Sequence, residues 1–82
     1  MSEFPRYTDF FGPVLDVLED GQDQTGRVIC KATGDLLRIT PEQRHETLAS
    51  GQNTLASRCG WALTYLAQAG CVERPRRGTY RI

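Results

Sequence analysis

The stretch that most constrains this chain is its last third, Asn53 to Ile82, NTLASRCGWALTYLAQAGCVERPRRGTYRI. Leu55, Cys59, Ala62, Leu66 and Ala69 recur at helical spacing and fall within one narrow arc. That predicts a helix from Asn53 or Thr54 to Ala69 with the arc turned to a core. Gly70 follows as the stop, because a residue without Cβ adopts the left-handed conformation that closes a helix. Arg58 and Tyr65 flank the apolar arc. Ser57, Gly60, Thr64 and Gln68 lie opposite it, small, polar and free of acids. Such a face can approach a nucleic acid closely, and taken alone it is more often plain solvent surface. Trp61 stands at the edge of the exposed arc, where the expectation is packing against a neighbouring helix with the indole N–H satisfied.

The remainder of the stretch reads as a hairpin. Cys71 to Pro75 is expected to pair with Thr79 to Ile82 across Arg76-Arg77-Gly78, with Gly78 in the left-handed position of a three-residue bulged loop. This register sets Val72 opposite Ile82 and Arg74 opposite Tyr80 on one face, and Glu73 opposite Arg81 on the other. Arg76 and Arg77 then project from the tip with no acid between them, and forked guanidinium donors suit phosphate. The bland alternative is an edge hairpin kept soluble by charge.

The first fifty residues read as support. Phe10, Phe11, Val14, Leu15 and Leu18 form one apolar stripe, predicting a helix over residues 8–20 with Thr8 as N-cap, Pro13 in its first turn and Gly21 as its end. Asp16, Glu19 and Asp20 on its other face oppose the helix dipole and call for basic partners. After a polar loop at 22–26, a second helix is expected from Thr25 or Gly26 to about Leu37, burying Val28, Ile29, Ala32 and Leu36, with Gly34 weakening it. Thr40-Pro41-Glu42-Gln43 is a capping box that starts a short third helix to about Thr47. Leu48 is a candidate for one short strand beside the hairpin, ahead of a turn at Ser50-Gly51.

Size and charge narrow the function. Eighty-two residues make one small domain, with no room for a catalytic cleft between domains. Ten basic and ten acidic side chains cancel, but residues 1–41 carry seven acids and four bases, and residues 42–82 three acids and six bases. A local basic footprint near the C-terminus is therefore compatible with zero net charge. The N-terminal residues have no apolar run to serve as a signal peptide, and no stretch is long enough to cross a bilayer, so the expected localisation is cytoplasmic, with no membrane partner. Cys30, Cys59 and Cys71 form no CxxC pair, and an odd count without a secretory signal points to reduced, half-buried or buried thiols. His45 and the scattered acids match no zinc module, nucleophile elbow, P-loop or clustered-acid nuclease centre. No catalytic residue, metal or other cofactor is implied.

Arg58-Cys-Gly-Trp61-Ala62-Leu-Thr64-Tyr65-Leu66, then Ala69-Gly70, then Arg77-Gly78-Thr-Tyr80-Arg81-Ile82, resembles the N-terminal domain of Mrr-type modification-dependent restriction endonucleases. The early Pro13-Val-Leu stretch and Ser50-Gly51 also look like that family, whereas Cys71-Val72 departs mildly from the usual pair of leucines. The resemblance covers essentially the whole chain and is specific from Arg58 onward. It implies a winged helix that recognises DNA for a separate nuclease domain, in enzymes acting on DNA that carries methylated bases.

The expected fold is therefore α+β, a winged helix-turn-helix of three to four helices plus a C-terminal β-hairpin wing, spanning residues 1–82 with the nuclease domain outside it. The expected function is binding of double-stranded DNA, with modified bases left open, to target the nuclease domain of a type IV Mrr-like parent. Gln52, Asn53, Thr54, Ser57, Arg58 and Thr64 are the helix candidates for contact, and Arg76 and Arg77 the wing candidates. The rival reading is a protein–protein interaction or dimerisation module using the same hairpin, and a homodimer is among the assemblies it allows.

Overall fold

The computed structural model describes residues 4–82 and places four helices and a terminal hairpin around one apolar centre. A single 3-10 turn, Tyr7–Phe10, leads into α1, Phe11–Val17. The helix thus begins ahead of Thr8, which caps nothing. Arg6 takes the capping position, its backbone N–H donating to Asp9 Oδ2 at 3.0 Å. Pro13 falls in the first turn of α1, where its missing donor leaves no bond unmade. Gly21 closes the following turn at φ +74°. Among the described residues Asp16, Glu19 and Asp20 form no ion pair; Asp20 instead accepts the Gln22 backbone N–H at 3.0 Å.

The segment expected as a polar loop contains a strand. β1, Gln24–Thr25, pairs antiparallel with β3, Thr79–Arg81, which pairs on its other side with β2, Glu73–Arg76. Leu48 therefore does not supply the third strand. It lies in a tight loop closed by its own N–H to the Gln52 carbonyl at 2.8 Å, beside a single bridge between Thr47 and Asn53.

Thr25 then caps α2, Gly26–Leu36, by accepting the Val28 N–H. The buried face of α2 is Ile29, Thr33 and Gly34, whereas Val28 and Leu36, expected inside, are exposed. Gly34 lies on this buried face, where the helix comes close to its neighbours. A Cβ at that position would stand 3.3 Å from both Leu55 Cδ2 and Arg44 Nη1. The glycine that weakens α2 locally is thus what lets it lie against α4. α3, Pro41–Arg44, is one turn, held by the reciprocal capping box: the Gln43 N–H donates to Thr40 Oγ1 at 3.1 Å and the Thr40 N–H to Gln43 Oε1 at 2.9 Å.

α4, Thr54–Gln68, is the long element. Leu55, Cys59, Ala62, Leu63 and Leu66 enter the core with Phe10, Val14, Leu18, Ile29, Ile39 and Val72. Leu63 replaces Ala69, which is exposed, at the margin of the expected arc. Gly70 is the stop, at φ +80°, and the Cys71 N–H returns to the Leu66 carbonyl at 2.9 Å. Cys30 of α2 and Cys59 of α4 are bonded as a disulfide with Cα atoms 5.7 Å apart, which corrects the expectation of reduced thiols; only Cys71 is free. Helix packing brings the two together, a pairing that spacing along the chain could not indicate.

The hairpin keeps Glu73 opposite Arg81, with an ion pair of 3.0 Å between them. Beyond Pro75 the register slips by one residue, so that Arg76 faces Thr79 and the turn is the two residues Arg77-Gly78. Proline has no N–H for the ladder, and the irregularity falls where it interrupts the strand. The result is an α+β, winged-helix-like fold.

Candidate nucleic-acid interface

The outward face of α4 and strand β3 enclose a shallow groove open to solvent, lined by Gln52, Ala56, Ser57, Gly60, Trp61, Thr64 and Tyr80. It carries no charged side chain. Its floor is the small polar stripe of α4, and Tyr80 reaches it from the wing. A second depression, formed by Gln52, Asn53, Ala56 and Ser57, continues it over the helix start.

The eight candidate residues separate by what already holds them. Gln52 is exposed at the groove, with its side chain uncommitted among the described residues. Ser57 and Thr64 line the groove, although Thr64 Oγ1 donates back to the Gly60 carbonyl at 3.0 Å. Asn53 lies at the groove's end, but both of its amide atoms are engaged: Oδ1 accepts the Ala56 N–H at 3.1 Å and Nδ2 donates to the Arg44 carbonyl at 2.7 Å. Thr54 is 4% exposed. Arg58 points to the opposite flank, donating to the Pro5 carbonyl at 2.8 Å with its guanidinium 5.6 Å from the Phe4 ring centre.

Arg76 and Arg77 both stand exposed at the wing tip. Asp23, next to β1, approaches Arg76 at 3.8 Å and Arg81 at 3.5 Å. Arg81 is committed twice over: its hydrogen bond to Glu73, the charge of Glu73 and the charge of Asp23 all hold its guanidinium further above its ordinary, already fully protonated range. Arg77 has no carboxylate partner among the described residues.

Trp61, Tyr80 and Arg74 stand at the groove outside the candidate set. Trp61, 56% exposed, packs on no neighbouring helix and its N–H has no acceptor among the described residues, which corrects the expected structural role. Its neighbour along the face is Tyr65, with ring centres 6.1 Å apart. Tyr80 walls the groove, and Arg74 lies over the Tyr80 ring at 5.7 Å, a cation–π contact that carries a third wing cation to the groove's edge. The expected register already set Arg74 beside Tyr80, and Trp61 shares the helical spacing of Ser57 and Thr64. Both signals were present in the sequence.

Residues 7–82 match the Mrr N-terminal domain family. This chain belongs to that family. It is 32% identical over 77 residues to the type IV methyl-directed restriction enzyme EcoKMrr of Escherichia coli strain K12, an alignment that covers 93% of this chain and 25% of that enzyme. This Mrr N-terminal domain therefore spans about a quarter of the length of the curated relative it matches. No solved structure matches it. Among its described residues no helix is long and apolar enough to cross a membrane.

Proposed function

We propose that this Mrr N-terminal domain binds double-stranded DNA and thereby directs a restriction endonuclease activity carried outside it. The observation that carries this reading is the pairing of an uncharged groove on α4 with a wing bearing Arg74, Arg76 and Arg77. Phosphates take cations, whereas base edges take neutral donors, acceptors and apolar contacts. The α4 start docks in the major groove, with Gln52 and Ser57 at base edges and Thr64 further along. Arg76 and Arg77 hold phosphates flanking it. Asn53 caps the helix that carries this face, Thr54 is buried at its first turn, and Arg58 braces the N-terminal segment. The relative's name, methyl-directed, supports a preference for duplexes carrying methylated bases.

Titrating the domain with methylated and unmethylated duplexes at two salt concentrations tests this. With about three phosphates neutralised, log K should fall with log salt at a slope near −3. Absence of binding at low salt would refute the proposal and leave the hairpin as a protein-docking element.

A further inference from the structure

We propose that Trp61 is the residue through which this domain discriminates methylated from unmethylated bases, by packing its indole on a methyl group projecting into the major groove. This rests on the DNA-binding reading above.

Trp61 is one of the least protected large apolar side chains in the described structure, at 56% exposure, and it stands in the groove rather than at a margin of the fold. Leaving an indole in water forgoes a large burial gain, and more than half of this one stays open to solvent among the described residues. The residues sharing the groove are uncharged, so it offers no ion pair to phosphate and suits a base edge. It is also too open to enclose a base extruded from the duplex, which needs a closed pocket. Beside Trp61, Gly60 lies within α4, where glycine weakens a helix relative to alanine. A Cβ at Gly60 would meet nothing within 4 Å, in contrast to Gly34, so internal packing does not account for it. Its effect is to let an external surface approach the helix next to the indole. Ala56, on the same wall, adds a methyl to the apolar contact.

The shared chemistry is a methyl on a base edge, and three sources present one there: thymine, 5-methylcytosine and N6-methyladenine. Random-sequence duplex pools separate them. One pool replaces thymine by deoxyuridine, one replaces cytosine by 5-methylcytosine, and one replaces adenine by N6-methyladenine. Each is compared with the unmodified pool by competition against the folded domain. Wild type is expected to favour the 5-methylcytosine or the N6-methyladenine pool over the unmodified pool by about fourfold, roughly the worth of one buried methyl-sized group, and a preference for thymine over deoxyuridine alone would overturn the inference. In Trp61→Ala and in Trp61→Gln that ratio should fall to about one, while the salt slope stays near −3. Because Trp61 is exposed, both variants should keep the wild-type circular dichroism. A wild type that binds all pools equally with the expected salt slope would overturn this inference and leave the DNA-binding reading intact. So would a variant that keeps the ratio. Failure to bind any pool at low salt would overturn both.

Discussion

The two flanks of α4 carry similar chemistry and have been put to different uses. On the flank toward residues 4–10, Arg58 is bound to the Pro5 carbonyl and lies over Phe4. At the helix start, Asn53 spends both amide atoms on Ala56 and Arg44, and Cys59 is bonded to Cys30. On the flank toward the wing, Ser57, Gly60 and Trp61 face solvent, and Arg74 and Arg77 across the groove meet no carboxylate among the described residues. An arginine or amide within reach of DNA is a reader only if the fold has not already saturated it. The comparison teaches that commitment, rather than residue type, separates the face that builds this domain from the face that is left for a ligand.

The comparison is sharpest where the predicted effects are large. Reducing the Cys30–Cys59 bond, which closes a separation of 29 residues, should lower stability by about 3–4 kcal/mol in urea titrations. Intrinsic DNA affinity of the remaining folded fraction should not change. Unaltered stability on reduction would remove the disulfide from the account of the inner flank.

On the outer side, Arg77→Ala should reduce the salt slope by about one and weaken binding to all sequences alike. Arg76→Ala should do less, because Asp23 already partly neutralises Arg76 at 3.8 Å. An equal or larger loss at Arg76 would show that Asp23 does not compete with phosphate.

Asn53→Ala should cost about 1–2 kcal/mol of stability through the lost cap and the orphaned Arg44 carbonyl, and Arg58→Ala about 1 kcal/mol. Neither should alter the salt slope. A slope reduced by one in Arg58→Ala would move that residue to the DNA and break the division between flanks. Smallest of all, Gly60→Ala should stabilise α4 by up to about 1 kcal/mol while weakening binding, because open space on the groove side is all that the glycine supplies. Unchanged affinity would mean that no surface approaches there.

Much of the fold was legible because its signals are local. The Thr40-Pro41-Glu42-Gln43 box, the Gly70 stop and the Glu73–Arg81 pair each depend on residues a few positions apart or opposite in a hairpin, and the structure shows all three. The misses arise where distant segments meet. The buried face of α2 centres on Ile29, Thr33 and Gly34, where the helix lies close to Leu55 and Arg44. The added strand Gln24–Thr25 depends on β3 being present to pair with, and the Cys30–Cys59 bond on α2 meeting α4. Pro75 is a local signal for the slip in the hairpin, whereas Gly78 alone points to a three-residue loop. The candidate site divided in the same way. The helical wheel identified the outward stripe with Ser57 and Thr64, and turn chemistry identified Arg76-Arg77. It could not show that Arg58, though flanking the helix, is drawn to Pro5, a residue far back in the chain.

The most direct test is a backbone and indole amide NMR titration of the domain with a short duplex at low salt. Trp61 is the single tryptophan, so its Nε1–H gives one unambiguous side-chain signal on the groove. Perturbations are predicted at that indole, at Gln52, Ala56, Ser57, Gly60 and Thr64, and across 74–80, with the Phe4–Phe10 segment unmoved. Shifts centred on Phe4–Phe10 and Arg58, with a silent indole, would contradict the account.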